Sequence, residues 1–156
     1  MIKRQRISLS VLALSAAALV GIVSHEGYIE TARPPVAGDV QTIGFGTTNG
    51  VKAGDRTNPV DALGRALTDI QSFEGALKQC VKVPLHQYEY DAFISLQYNI
   101  GSGAFCSSTL VRKLNAGDYE EACRQILRWD KFKGKPLRGL TIRRKREYKV
   151  CIGEIN

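Results

Sequence analysis

The sequence is poor in metal-binding side chains. Its 156 residues include two histidines, His25 and His86, and four cysteines that fall in no Cys-x-x-Cys spacing. A structural zinc site draws on about four Cys or His ligands at close spacing, so neither a metal nor another cofactor is expected. Internal repeats and low-complexity tracts are absent. There is also no basic stripe interleaved with aromatics, which argues against nucleic acid as a partner. The first 24 residues contain no Asp or Glu. The length suits one domain, or one domain behind a short leader, and a body of about 130 residues can bury a sizeable core.

The leader is the most distinctive stretch. Ile7 to Ser24 is an 18-residue run without a charge, preceded by Lys3, Arg4 and Arg6. Basic residues before an apolar run place the N-terminus on the cytoplasmic side of a membrane. At 1.5 Å per residue the run spans about 27 Å, marginal for a bilayer core of about 30 Å. Half of it is small: four Ala, four Ser and one Gly. Such a segment should insert weakly as an apolar helix. A permanent anchor, a signal peptide cleaved at Ala16-Ala17-Ala18, and an anchor that later leaves the bilayer intact all fit this composition.

Net charge is +7, and removing the leader's three basic residues leaves 19 basic and 15 acidic. That mild excess favours anionic surfaces such as wall polymers or lipid headgroups. The groups Arg124/Arg128 and Arg143/Arg144/Lys145/Arg146 read as solvated helix faces. Cys80, Cys106, Cys123 and Cys151 allow three pairings. Behind an export leader they should be oxidised. Cys80–Cys106 with Cys123–Cys151 is expected, because each bridge closes a local helix-to-helix loop.

Residues 29–56 are rich in Gly, Pro and Thr. Thr42 to Thr47 reads as short strands, with a turn at Asn49-Gly50. Asn58-Pro59 then opens a helix whose apolar face is Val60, Leu63, Leu67, Ile70, Phe73 and Leu77. Further helices are expected over 86–100, 107–115, from an Asp118–Glu121 capping box to about Trp129, and from Thr141 to about Ile152. Lys131 to Arg138 reads as a polar loop. The class is α+β, a small β-hairpin element followed by a mainly helical bundle.

Glu26 sits two residues past the apolar run. A carboxyl in apolar surroundings is raised towards the pH at which it can donate a proton, as glycosidic cleavage requires. Glu26-Gly27-Tyr28, a loop, then Thr42-Ile43-Gly44-Phe45-Gly46-Thr47-Thr48 resembles the catalytic signature of phage-type lysozymes, glycoside hydrolase family 24. The resemblance continues through Gln97–Leu110, Leu114–Asp118, Arg128-Trp129 and Gly139-Leu140-x-x-Arg143-Arg144-x-x-Glu147, covering residues 25 to 152. Together with the weak leader, the chain is similar to signal-anchor-release endolysins. The resemblance implies a leader, residues 1–24, that tethers the protein in the host inner membrane, and a lysozyme-like catalytic domain, residues 25–156. The body would face the periplasm and become soluble there after release. The substrate implied is peptidoglycan, cut between N-acetylmuramic acid and N-acetylglucosamine by a monomeric enzyme.

Carried onto this sequence, the family's catalytic Glu is Glu26 and its Thr is Thr42. The family's Asp lies six residues before that Thr, where this chain has Val36. Asp39 is the nearest replacement, and Glu30 the alternative. An offset of three residues in extended chain reverses the side-chain direction, so Asp39 requires a bend in the loop. Gly44 and Gly46 are expected to let the backbone approach the sugar, and Phe105 to line the opposite lip of the cleft or to pack in the core. Two rival functions remain at this stage: a lytic transglycosylase, which needs only the acid, and an inactive membrane-tethered peptidoglycan-binding protein.

Overall fold

A computed structural model describes residues 5–155, so Lys3 and Arg4 of the basic flank lie outside the described residues. The chain divides into two compact units, residues 5–18 with 73–155, and residues 19–72. In order, the elements are a 3-10 turn (Leu9–Val11), α1 (Ala16–Glu26), β1 (Ile29–Arg33), β2 (Thr42–Gly44) and α2 (Pro59–Cys80). Then come α3 (Gln87–Ile100), α4 (Ser102–Cys106), α5 (Thr109–Asn115), α6 (Tyr119–Gln125), β3 (Lys131–Phe132), β4 (Lys135–Pro136) and α7 (Arg138–Cys151). This is the α+β class expected, with most described residues helical and two small antiparallel sheets among them.

The leader differs from the single apolar helix expected over Ile7–Ser24. Among the described residues no helix is long and apolar enough to cross a membrane. Residues 12–15 interrupt the helix because side chains of the body take their backbone groups. Leu14 N–H donates to Glu74 Oε1 at 2.7 Å and Ser15 N–H to Asp91 Oδ1 at 3.0 Å. The carbonyls of Leu12 and Ala13 accept from Lys78 Nζ and Gln87 Nε2. Upstream, Ile7 and Leu85 exchange backbone hydrogen bonds of 2.9 and 3.0 Å. Arg6 makes a forked pair with the buried Glu89, 2.7 Å at the shortest, and stacks 3.5 Å over the Tyr119 ring. These backbone groups, which lipid would have left without partners, are bonded within the protein.

In the 73–155 part, α3 is the central element, with Tyr90, Phe93, Ile94 and Leu96 fully buried. Glu89 closes its N-terminus by accepting from His86 N–H at 2.8 Å, and Gly101, at φ +85°, ends it. Helix α7 packs on α3 and corrects the reading of Arg143 and Arg144, while Lys145 and Arg146 face solvent as expected. Arg144 is fully buried and Arg143 nearly so. Both pair with Glu147, at 2.7 Å for Arg144 and 3.2 Å for Arg143, and Ser95 Oγ donates to the same carboxylate. Burial pushes the Glu147 carboxyl up from its ordinary value, against the pull of Arg144, Ser95 and Arg143. Charge counting along the sequence could not show this burial, because the cover comes from α3, whose Asn99 Oδ1 accepts from Arg144 at 2.9 Å and whose Ser95 donates to Glu147. Cys80–Cys106 and Cys123–Cys151 are both formed as expected, with Cα separations of 5.6 and 5.7 Å. The polar loop expected after Trp129 is a β3–β4 hairpin whose turn, Lys133-Gly134, has both residues at positive φ.

In the 19–72 unit, β2 pairs with β1 rather than with a strand beyond Asn49-Gly50, with Arg33 opposite Thr42 and Ile29 opposite Gly44. Residues 55–57 add to the outer edge of β1 through Ala32 N–H to Asp55 O and Thr57 N–H to Glu30 O. Asn58 caps α2 as expected, its Oδ1 accepting from the N–H groups of Val60 and Asp61 at 3.0 Å each. The expected apolar face of this helix is buried at Ile70 and Leu77 but not in the first turns, where Ala62 and Ala66 are inside while Val60 is 79% exposed and Leu63 and Leu67 are exposed too. The β-turn backbone comes so close to α2 that only small side chains fit beneath it.

Candidate active site

All the expected catalytic residues belong to the 19–72 unit, and the chemistry starts at the end of α1. Glu26 is its last residue, half-buried. Gly27, at φ +69°, ends the helix by donating its N–H to Val23 O, which turns the chain into β1. Strand β2 then leads into a tight turn, Gly44-Phe45-Gly46, closed by paired hydrogen bonds between Ile43 and Thr47 at 3.0 and 3.1 Å. The turn brings Gly46 against Glu26. A methyl group on Gly46 would lie 3.1 Å from Glu26 Oε2, and Gly46 has φ +92°. Glycine is favoured there by its conformation, and a Cβ would press on the Glu26 carboxyl.

The other expected residues are placed as follows. Thr42 is buried, and its hydroxyl donates to Val40 O at a long 3.4 Å. Asp39 is exposed. The bend it needed is present: Asp39 N–H donates to Val36 O at 3.0 Å, and Gly38 takes φ +87°. Asp39 Oδ1 accepts from the next residue's N–H, Val40, at 3.1 Å. Glu30 is exposed and held in an ion pair with Arg56. Gly44 serves a purpose other than sugar approach. It is buried at φ +63°, and a Cβ there would meet Ala62 Cβ at 2.8 Å, so it seats the turn on α2. Phe105 belongs to the other unit, is 0% exposed and packs 6.1 Å from the Phe93 ring. Of its two expected places it takes the core one, which leaves no ring face for a sugar.

One contact was not legible in the sequence. Thr47, buried at the exit of the glycine turn, donates its hydroxyl to Asp69 Oδ2 on α2 at 2.6 Å. This charge-assisted bond fixes the turn that confronts Glu26. Only the position of Thr47 directly after Gly-x-Gly hinted at it. No group of three or more His, Cys, Asp or Glu able to hold a metal occurs among the described residues.

A half-buried carboxyl at a helix end, walled by a glycine turn that follows a Thr-bearing strand, is an arrangement for donating a proton to a bulky polar substrate. The family model for phage lysozyme matches residues 23–147. The chain belongs to the phage lysozyme family. It is 41% identical over 138 residues to the endolysin of Acyrthosiphon pisum secondary endosymbiont phage 1, covering 86% of this chain and 94% of that one. Its identity to the SAR-endolysin of Pseudomonas phage phiKMV is 38% over 141 residues, 88% and 87% of the two chains. Among solved structures it is similar to P22 lysozyme, with a TM-score of 0.79 at 31% identity, covering 92% of this chain and 100% of that one. This phage lysozyme is a glycoside hydrolase, a muramidase of the endolysin kind.

Proposed function

We propose that Glu26 is the general acid of this lysozyme, protonating the oxygen between N-acetylmuramic acid and N-acetylglucosamine in peptidoglycan. The observation that carries the reading is the Gly46 backbone set directly against the Glu26 carboxyl. Thr42 and Asp39 take the opposite role, orienting and activating a water on the other face of the sugar, an inverting displacement. The hydrogen-bonded bend at Val36–Asp39 supports Asp39 in the place of the family's Asp. Asp39 Oδ1 accepts from Val40 N–H, and a carboxylate keeps acceptor capacity beyond that one bond to take the water. Gly46 gives the sugar close access to the backbone. The test is Glu26→Gln with product analysis. Lysis should fall on the order of 1000-fold, and the unmodified enzyme should release reducing-end sugar. A 1,6-anhydro product would instead identify a transglycosylase.

The reading extends to location. The similarity to a SAR-endolysin supports residues 1–24 as a signal-anchor that first inserts in the inner membrane and is then released, uncleaved, to the periplasm. Physical chemistry supplies the latch. Lys3, Arg4, Arg6 and the amino terminus must cross the bilayer outward for Arg6 to reach Glu89. Each positive charge moved against the membrane potential costs about 2.3 kcal/mol per 100 mV, so four hold the leader with about 9 kcal/mol per 100 mV. Collapse of the potential removes that term. The contacts of residues 6–15 with the body then favour the folded form, with Glu26 at the end of a completed α1. Intact mass of the soluble active protein tests this: retention of Met1 is expected, and an end near Leu19 would show a removed signal instead.

A further inference from the structure

We propose that the β3–β4 hairpin, with the exposed face of α7 that follows it, is a docking surface for an anionic phospholipid bilayer. The charge of this protein is not spread evenly. Residues 128–149 hold ten basic and two acidic residues, whereas the rest of the chain holds 12 basic and 13 acidic. The two acids within the stretch are engaged locally. Glu147 is buried with Arg143 and Arg144, and Asp130 Oδ2 accepts from the Thr141 hydroxyl at 3.1 Å. The exposed cations are therefore in large excess.

Their geometry fits a membrane plane. All of residues 131–139 are exposed. The hairpin presents Lys131, Lys133 and Lys135 around Phe132, which is 53% exposed, and Lys133 Nζ lies 5.5 Å from the Phe132 ring centre. On α7, Arg138, Ile142, Lys145 and Arg146 share one solvent-facing stripe at helical spacing, and Ile142 is 58% exposed. Hairpin and helix are joined stiffly, since Leu137 N–H donates to Asp130 O at 2.9 Å and Thr141 holds the Asp130 carboxylate. Apolar side chains interleaved with lysines favour lipid over a wall polymer. A hydrated polysaccharide offers anionic charge but no apolar layer, whereas a headgroup region offers both, with lysine stems lying along the boundary.

The test uses the full chain and its single tryptophan, Trp129, two residues before the hairpin. Vesicles of phosphatidylglycerol and phosphatidylcholine carry a lipid-linked fluorescence quencher near the headgroups. Trp129 should be quenched by anionic vesicles, in a salt-sensitive manner, and not by pure phosphatidylcholine. The triple change Lys131→Gln, Lys133→Gln, Lys135→Gln should weaken that binding on the order of 100-fold, at about fivefold per lysine. Phe132→Ser should reduce the quenching at saturation. Both variants should melt like the parent and cleave soluble murein at the parent rate. Glu26→Gln should bind vesicles normally, which separates this surface from the reading of the active site. Vesicle binding by the triple variant at parental affinity would overturn the proposal. So would sedimentation with vesicles while Trp129 stays unquenched, since the leader would then be the contact. Loss of binding to purified sacculi alone would assign the surface to wall polymer.

Discussion

Gly44 and Gly46 stand two residues apart in one turn, yet a methyl group would harm each differently. At Gly44 it would meet Ala62 Cβ at 2.8 Å with φ at +63°. Strain and overpacking together should cost Gly44→Ala about 3 kcal/mol of stability, visible as a melting point lower by about 10 °C. At Gly46 the same methyl faces Glu26 Oε2 at 3.1 Å. Gly46→Ala should therefore lose activity, about 10- to 100-fold in kcat, because a displaced acid misses the glycosidic oxygen. Melting curves and murein turnover measured on both variants will separate packing from positioning. Equal effects of the two substitutions on kcat would count against Gly46 as the wall of the acid. Thr47→Val removes the bond to Asp69 and belongs to the second kind, with the turn loosened rather than crowded.

The leader is fastened to the body by polar contacts. Its 6–15 stretch is held by the Glu74, Asp91, Lys78 and Gln87 side chains and by the Arg6–Glu89 pair. Glu89 is 3% exposed. Removing its partner leaves a buried carboxylate short of a cation, at a cost of about 3 kcal/mol. Arg6→Gln should speed amide exchange across residues 7–15 while α3 stays protected; unchanged exchange there would refute Arg6–Glu89 as the tie that holds the leader on the folded body. The disulfides act at the same scale. Cys80–Cys106 closes a sequence separation of 26 residues and Cys123–Cys151 one of 28. Reduction should cost about 3 kcal/mol per bridge, and the urea midpoint of the reduced protein should fall accordingly.

At the scale of the whole molecule, alkaline pH sets a stability limit through buried phenols. Tyr90 is fully buried and donates to Glu74 Oε1 at 2.8 Å. Desolvation, then the Glu74 bond, pushes its pKa far above the ordinary value, and desolvation also raises Tyr88 and Tyr119. The unfolded chain releases these protons near pH 10 and the folded one holds them. Stability is thus complete below about pH 10 and declines above it, by about 1.4 kcal/mol per pH unit for Tyr90 alone. Urea titrations between pH 8 and 11.5 should show the fall, and Tyr90→Phe should flatten it. Charge is the other whole-molecule property: all of the excess lies in residues 128–149, the rest of the chain being one charge negative, so association with anionic surfaces should be oriented rather than random.

Local chemistry was legible from the chain alone. Asn58-Pro59 starts a helix because a side-chain acceptor and a residue without an N–H suit that position in any protein. The two cysteine pairs were readable because each closes a short loop, and Glu26 with its Thr-x-Gly-x-Gly partner because the motif is nearly contiguous. Tertiary structure alone decided the rest, since burial depends on what arrives from elsewhere. Arg144 is internal because α3 supplies its cover, the first turns of α2 bury Ala62 rather than Val60 because the glycine turn seats on Ala62, and Phe105 lies in the core beside Phe93. The apolar leader folds as a broken helix because Glu74 and Asp91 offer its backbone the hydrogen bonds that lipid lacks.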